Sequence, residues 1–232
     1  MQPTKMRATN SKPCGPQRTG ATVLTYSDRI VKAQTTLALI SARNANLAET
    51  KSSTGAVKHR CFLSYHSVDA PEVLAFVEQY GSVFTALSIG VSDSDGDIIN
   101  SQDGDYIMDQ IGSKYLTNST VTILLVGQCT WSRKFVDWEL YSSLRAGKVR
   151  TVNGLLAYQL PSVTGTRVAI PQRLTDNHNA ADPSKAYARY YVYPSSTFNV
   201  QSAVEDAFQA RTSRATLIKN TATRRAANAS CP

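Results

Sequence analysis

The segment TWSRKFVDWEL, residues 130–140, carries charged side chains whose spacing suits the binding of an anion. Arg133 and Lys134 fall in the first turn of a predicted helix, where the helix dipole favours acids over cations. Cations kept beside the free backbone N–H groups of a helix start make an anion site. Glu139 lies one turn deeper on the same helix, so a ligand held at the helix start could reach its carboxylate.

The same segment also fits an amphipathic helix that binds nothing. In that interpretation Ser132 caps the helix, the apolar side chains pack on a sheet, and Glu139 lies in water at the boundary of the core. The position of the helix in the fold bears on the choice, because ligands of open parallel sheets bind beyond the carboxyl ends of the strands.

Apolar, β-branched runs alternate with helical periodicity across the middle of the chain, which predicts a parallel α/β sheet with right-handed crossovers. The predicted strands are 61–65, 83–89, 119–127 and 154–160, and the predicted helices are 71–80, 103–115, 132–145 and about 197–211. Asp69 is predicted to cap the first of these helices. The rim beyond the strand ends then consists of 64–69, 91–97, 127–133 and the loop from Pro161.

The acidic rim loop SDSDGD does not meet the requirements of a calcium-binding EF-hand. Asp93, Asp95 and Asp97 alternate as in such a loop, but glycine is needed at the sixth position and a bidentate carboxylate at the twelfth. Those positions hold Ile98 and Gly104. The loop is therefore predicted to be a solvated part of the rim.

Standard phosphate loops and metal-ligand spacings are absent from the sequence. Neither a Walker A motif nor GxGxxG occurs, and His59, His66 and His178 are not spaced as metal ligands, so no metal is expected. His66 alone stands out, because it directly follows a predicted strand.

The net charge of +8 resides in the two ends of the chain. Residues 1–57 hold eight Lys/Arg and two acids, residues 213–232 hold four Lys/Arg and no acid, and residues 58–212 hold 13 Lys/Arg and 15 acids. We expect one domain over 58–212, flanked by basic, disordered or weakly helical extensions. Nucleic-acid binding usually needs a basic face on the folded domain, so it is expected only weakly, through the tails.

The four cysteines show no paired spacing. Cys61 and Cys129 lie in apolar, strand-like runs and are predicted to be buried free thiols, which fits a reducing compartment. No apolar run is long enough for a signal peptide or a membrane span, and we expect a cytoplasmic protein without membrane contact.

Several segments, taken in chain order, resemble a known family. CFLSYH, the acidic segment, STVTILLVGQCTWSRKFVDWELYSSLR, NGLLAYQLPS, IPQRLTDN and YARYYVYP are similar to the TIR-like domains of the Thoeris type, found in bacterial antiphage defence. The similarity extends from about His59 to about Arg211, and VGQCTWSRKFVDWE is its most specific part. The resemblance implies a flavodoxin-like TIR fold.

The family's catalytic pattern is largely retained. In catalytic TIR domains a glutamate on the helix after the third main strand ends a Ser…Trp-Cys-x-x-Glu pattern, and Ser132, Phe135, Val136 and Glu139 occupy those places here. Phenylalanine keeps an aromatic ring and valine keeps a small apolar side chain. Thoeris-type relatives vary similarly at these two places.

The resemblance implies an enzyme that cleaves NAD, its substrate rather than a cofactor, at the nicotinamide–ribose bond, with Glu139 as the catalytic residue. The product is expected to be an ADP-ribose-derived signal that activates a separate effector protein. The residues expected to bind the substrate are Ser64, Tyr65 and His66 on the nicotinamide and ribose side, and Trp131 and Arg133 on the ring and pyrophosphate side. A second possibility stays open, in which the TIR-like domain is not catalytic and signals by self-association.

Overall fold

A five-stranded parallel sheet organises the described part of the chain, which comprises residues 58–89, 106, 110–147 and 151–231 of a computed structural model. In chain order the strands are β1 Arg60–Tyr65, β2 Thr85–Ile89, β3 Val121–Val126, β4 Gly154–Gln159 and β5 Arg189–Tyr191. Their order across the sheet is β2-β1-β3-β4-β5. The helices are α1 Ala70–Tyr80, α2 Lys134–Ser143, α3 Gln172–Asn177 and α4 Thr197–Ser213, with a π-helical turn at Ile111–Leu116.

The predicted parallel α/β architecture is confirmed, since every strand pairing in this sheet is parallel. Two short elements, α3 and β5, were not predicted, because a few residues carry too little periodicity to be recognised. The predicted N-terminal extension 1–57, the acidic loop 91–97 and residues 103–105 and 107–109 of the predicted helix 103–115 lie outside the described residues. None of the described helices is long and apolar enough to cross a membrane.

The core has two main layers, one on each face of the sheet. All six residues of β3 are buried, and they alternate between the two layers because successive side chains of a strand point to opposite faces. One layer packs against α1 and α4, and the other packs against α2 and α3. This double coverage is the reason that β3 is apolar nearly throughout.

The strand order creates a topological switch point at the carboxyl end of the sheet. The chain leaves β1 toward β2 on one side and returns to β3 on the other, so the strand order reverses between β1 and β3. Open α/β sheets bind ligands outside the carboxyl ends of the strands at such a reversal. The residues at this point are the end of β1 and the segment 127–133 that follows β3.

The C-terminal segment, defined here as residues 214–231, is packed against the domain, whereas the sequence predicts a disordered or weakly helical extension. Its backbone and side chains bond to α2 and α3, for example where Trp138 Nε1 donates to the carbonyl of Arg225 at 2.8 Å. Asn177 Nδ2 likewise donates to the carbonyl of Lys219 at 2.7 Å. These bonds are polar and nonperiodic, so a hydrophobic pattern does not reveal them.

The prediction for Cys129 was also wrong. Cys129 forms a disulfide with Cys231, with their Cα atoms 5.7 Å apart across a sequence separation of 102. The pairing was missed because the packing of the C-terminal segment brings the two residues together, and spacing alone does not show it. Cys61 is a buried free thiol as predicted, and burial raises its pKa far above the ordinary value.

A buried guanidinium explains why the C-terminal segment is ordered. Arg173 on α3 is fully buried and pairs through Nε with Asp137 Oδ1 of α2 at 2.8 Å. Its two terminal nitrogens donate to Asn220 Oδ1 and to the carbonyl of Ala222, at 2.8 and 2.7 Å. A buried charge is costly unless it is paired and hydrogen-bonded, so the C-terminal segment supplies acceptors that the domain needs.

Replacing Arg173 with methionine tests this dependence. Arg173→Met leaves Asp137 buried without its cation and is expected to reduce the free energy of unfolding by about 3–5 kcal/mol. The measurement is urea-induced unfolding of the full chain. Arg189→Met is the matched control, because its ion pair with Asp206 is partly exposed and is worth about 0–1 kcal/mol. Equal losses in the two variants would contradict the role given to Arg173.

Candidate functional site

A serine and a glutamate meet beneath the carboxyl end of the sheet. Ser64 on β1 donates from Oγ to Glu139 Oε2 on α2 at 2.6 Å. Ser64 faces the α2 side because β1 alternates between the two layers, and Glu139 lies in the second turn of α2. Both are buried, with Glu139 only 2% exposed. The hydroxyl fixes one oxygen of the carboxylate, which is a charge-assisted hydrogen bond of the stronger kind.

Tyr65, the last residue of β1, adds a protonated phenol near the same carboxylate. Burial, and after it the negative charge of Glu139, hold the pKa of Tyr65 well above its ordinary value. The phenol therefore stays neutral at physiological pH and keeps its O–H as a donor. The structure thus joins Ser64 and Glu139, two of the residues predicted for the site, by a hydrogen bond, whereas Tyr65 packs with the layer on the other face of the sheet.

His66 lies directly after β1, as predicted, at the start of the turn Ser67–Asp69. Its carbonyl accepts a hydrogen bond from the backbone N–H of Asp69 at 2.8 Å. The side chain is half-buried at the rim. A role for His66 in substrate binding stays a prediction.

Asp69 is a carboxylate at the rim, and its side chain does not have the helix-capping role that the sequence predicts. It occupies the N-cap position before α1 as expected, but its side chain makes no capping bond. The carboxylate instead lies over Gly127, where a Cβ would come within 2.3 Å of Oδ2. Thr130 Oγ1 donates to Asp69 Oδ2 at 3.4 Å and accepts from the Gly127 N–H at 2.9 Å. A glycine directly after a buried strand was the available signal, since it permits such a close approach.

The electrostatic setting of Asp69 favours its protonated form. Burial is the largest cause and the charge of Glu72 is the next, and together they raise the pKa of Asp69 to about 6. The hydrogen bond from Thr130 and the charge of Arg133 act in the opposite direction. Asp69 therefore titrates nearer to neutral pH than an ordinary aspartate does.

The start of α2 differs from the prediction. Ser132 does not cap the helix, because it lies in the preceding turn Thr130–Ser132 and its Oγ donates to the carbonyl of Cys129 at 2.8 Å. Arg133 has the capping position in an extended conformation, and its Nε donates to the same carbonyl at 3.3 Å. The backbone N–H of Lys134, the first of the helix, donates to Asn228 Oδ1 of the C-terminal segment at 2.8 Å.

Trp131 lies on the rim next to this helix start. Its ring is half-buried, and the guanidinium of Arg225 lies 5.6 Å from the ring centroid. This distance allows a cation–π interaction. Trp131 and Arg133 thus contact the C-terminal segment and the turn after β3, and their predicted roles toward a substrate stay predictions.

Possible metal ligands do not cluster in the described ranges, where no group of three or more His, Cys, Asp and Glu side chains is placed to hold an ion. The described residues of the site offer a buried carboxylate, a hydroxyl, a neutral phenol and a basic helix start. Such a set can stabilise a developing positive charge and bind an anionic group beside it.

Comparison with known proteins finds a family match for the central part of the chain. Residues 62–164 match the family described as "Thoeris protein ThsB, TIR-like domain". No curated protein matches the chain. Among solved structures, a mutant form of enoyl thioester reductase from Candida tropicalis is 11% identical, with 86% of this chain and 49% of that one covered and a TM-score of 0.27. A TM-score this low does not show a shared fold, and the chain spans about half the length of that structure.

The raised pKa of Asp69 leads to a prediction about stability and pH. The folded protein binds the proton of the Asp69 carboxyl more tightly than the unfolded chain does. The charged carboxylate therefore opposes folding, and its cost to the free energy of unfolding grows as pH rises from about 4 to about 6. Asp69→Asn removes the penalty, so its melting temperature relative to the parent should be higher at pH 7.5 than at pH 4. Thermal unfolding across this pH range measures the difference.

Asp182→Asn is the control with the opposite sign. Hydrogen bonds from Ser184 and Lys185 lower the pKa of Asp182, so its charged form favours folding. This variant should lose stability relative to the parent as pH rises toward the ordinary aspartate pKa of 3.8, and its difference from the parent should stay constant between pH 4 and pH 7.5. A pH-independent difference between Asp69→Asn and the parent would contradict the electrostatic account of Asp69.

Proposed function

We propose that this chain, in which residues 62–164 belong to the TIR-like domain family of the Thoeris protein ThsB, cleaves NAD at the nicotinamide–ribose bond. The observation that carries the proposal is the pair formed by Ser64 and Glu139 at the switch point of the sheet. Glu139 ends the catalytic pattern that the sequence shares with this family. Its carboxylate lies where parallel α/β sheets bind ligands.

The proposed chemistry suits a single carboxylate. The bond between ribose C1′ and the pyridine nitrogen breaks with its electron pair going to nitrogen, so nicotinamide leaves neutral from a cationic ring. The ribose passes through an oxocarbenium-like state, and Glu139 stabilises its positive charge or holds the ribose hydroxyls, as carboxylates do in glycoside hydrolysis. Water, or a hydroxyl of the ADP-ribose itself, then adds to C1′ and loses a proton. A strong general acid is not required.

The neighbouring side chains have supporting roles in this proposal. The hydrogen bond from Ser64 orients Glu139, and the neutral phenol of Tyr65 can donate to the ribose or to the carboxamide of nicotinamide. The cations at the start of α2, Arg133 and Lys134, are suited to the pyrophosphate. The released ADP-ribose derivative would act on a separate effector in antiphage defence.

One observation favours the alternative of a non-catalytic module. Glu139 is 2% exposed and bonded to Ser64, which is also what a purely structural carboxylate would show. In the alternative, the domain signals by assembling with other TIR-like domains. In the enzyme, the buried carboxylate must become accessible before NAD can react, so activation involves a rearrangement near the site.

Glu139→Gln tests the proposal most directly. The amide keeps the size and one acceptor oxygen but loses the negative charge, so nicotinamide release from NAD should fall by about 10²–10³-fold or more. The measurement is chromatography of nicotinamide after incubating the protein with NAD, alone and in lysate from phage-infected cells. The melting temperature should change little, because the hydrogen bond with Ser64 can still form.

Glu78→Gln is the matched control, because Glu78 lies on the exposed face of α1 and should leave the rate unchanged. Nicotinamide release by Glu139→Gln at the parent rate would remove Glu139 from the mechanism. A parent protein that releases none in either condition, yet self-associates, would favour the non-catalytic module.

Ser64→Ala tests the orienting role separately. Loss of the 2.6 Å hydrogen bond frees the carboxylate oxygen, and we expect nicotinamide release to fall by about 10-fold or more although Glu139 itself is unchanged. The readout that distinguishes orientation from folding is rescue: Ser64→Thr, which restores a hydroxyl, should recover more activity than Ser64→Ala. Equal activity of the two variants would contradict the role of the hydroxyl.

A further inference from the structure

We propose that residues 226–231 form a redox-controlled clasp over the start of α2, which keeps the anion-binding part of the site closed until the disulfide between Cys129 and Cys231 is reduced. This inference rests on the proposed function, since it describes the regulation of the same site. It assigns a task to the C-terminal segment, which lies outside the matched family region.

Three bonds hold the clasp on the rim. The disulfide joins Cys231 to Cys129 in the segment after β3. The backbone N–H of Ala229 donates to the carbonyl of Ser132 at 2.9 Å. Asn228 Oδ1 accepts from the backbone N–H of Lys134 at 2.8 Å. All three attach the clasp within the stretch that leads from β3 into α2.

Asn228 occupies the position that an anionic ligand would take. A phosphate at a helix start accepts hydrogen bonds from the first backbone N–H groups, and the amide oxygen of Asn228 accepts from the first of them. Arg133 and Lys134 lie next to this N–H in the chain, with their side chains against the carbonyl of Cys129 and the ring of Trp138. Both cations suit a phosphate better than a neutral amide. Asn228 and the pyrophosphate therefore compete for one N–H group.

The clasp begins directly after Arg225, whose backbone is fixed by two hydrogen bonds. The backbone of Arg225 is held at both ends, because its N–H donates to Asp137 Oδ2 and its carbonyl accepts from Trp138 Nε1, each at 2.8 Å. Residues before Arg225 supply acceptors to the buried Arg173. Opening can therefore occur beyond Arg225 without disturbing the part of the C-terminal segment that stabilises the domain.

The part beyond Arg225 has little besides the disulfide to keep it closed. Residues 226, 227, 228 and 230 are exposed, and residue 229 is only partly buried, so the clasp buries little apolar surface. Segments with few buried contacts and exposed hydrogen bonds open at low free-energy cost. The disulfide holds Asn228 at a high effective concentration beside the backbone N–H of Lys134. Reduction of the disulfide lowers that effective concentration and so weakens the hydrogen bond.

Reduction requires an external dithiol, and the exchange is balanced. A thiolate of the dithiol attacks one sulfur of the Cys129–Cys231 bond, the other sulfur leaves as a thiolate and takes up a proton, and a mixed disulfide remains. The second thiol of the reductant resolves it, which yields both cysteines as thiols and the dithiol as its own disulfide. Two electrons pass from the dithiol to the protein.

The test uses ADP-ribose as a pyrophosphate probe, with its affinity measured by calorimetry on the oxidised full chain and on the chain reduced with dithiothreitol. Alkylation followed by mass spectrometry verifies the state of the disulfide. Reduction should tighten ADP-ribose binding by about tenfold or more, since the competing amide is then held only weakly. Cys231→Ser should bind as the reduced parent does under both conditions.

Ser230→Ala is the matched control, because it changes the clasp next to Cys231 and leaves the disulfide intact. It should respond to dithiothreitol as the parent does. Nicotinamide release from NAD is measured on the same samples and should rise with ADP-ribose affinity. Equal affinity of the oxidised and reduced parent, including no binding in either state, would overturn the clasp.

The two readouts separate this inference from the proposed function. ADP-ribose binding that tightens on reduction, without nicotinamide release in any state, would support the clasp and contradict NAD cleavage. Nicotinamide release that is the same in the oxidised parent, the reduced parent and Cys231→Ser would support NAD cleavage and overturn the clasp.

Discussion

The ion pair between Arg173 and Asp137 is the interaction on which the arrangement around α2 depends. Asp137 lies on the same helix as Glu139, two positions before it, and is itself 5% exposed. Its second oxygen accepts from the N–H of Arg225, so a single carboxylate joins α2, α3 and the C-terminal segment. Because a buried charge tolerates little displacement of its partners, the pair fixes α2, and with it Glu139, relative to the sheet.

The sheet supplies the complementary constraint. Because side chains alternate along β1, Ser64 faces the α2 layer and its neighbour Tyr65 packs with the layer on the other face. These two consecutive residues therefore lie on opposite faces of the sheet near its carboxyl end. The parallel register pairs Ser64 with Leu124 and Tyr65 with Leu125, so both residues lie beside the end of β3, before the turn that leads into α2. The site is thus assembled from two strands and one helix whose positions follow from ordinary burial.

Much of the fold was predictable from the sequence, because long apolar runs such as β3 and the periodicity of α1 carry strong signals. The strand-end rule and the family pattern place Ser64 and Glu139 at the same predicted site, and a hydrogen bond joins them in the structure. The sequence does not show that both side chains are buried. The structure leaves the catalytic role itself a prediction. Asp69 was taken only as a helix cap, because the sequence does not show that Gly127 opens space for its carboxylate.

The C-terminal segment, the disulfide and β5 could not be predicted from the sequence for a different reason. The C-terminal segment is ordered by single polar bonds to Arg173, Trp138 and Lys134, and such bonds leave no periodic trace. Composition alone made the segment look like a basic tail. The disulfide follows from that packing, and β5 is too short for its alternation to be seen. Local patterns therefore predicted the elements with extensive apolar burial and missed those that depend on distant polar partners.

The disulfide also gives the chain the covalent topology of a closed ring. The link between Cys129 and Cys231 encloses α2, β4, α3, β5 and α4, whereas β1 and Ser64 remain outside the ring. A tension applied between the two ends of the oxidised chain passes across the sulfur bridge to the end of β3 and bypasses the enclosed residues. Glu139 lies inside this mechanically shielded part and its hydrogen-bond partner lies outside it, so pulling on the chain would load Ser64 while α2 stays protected.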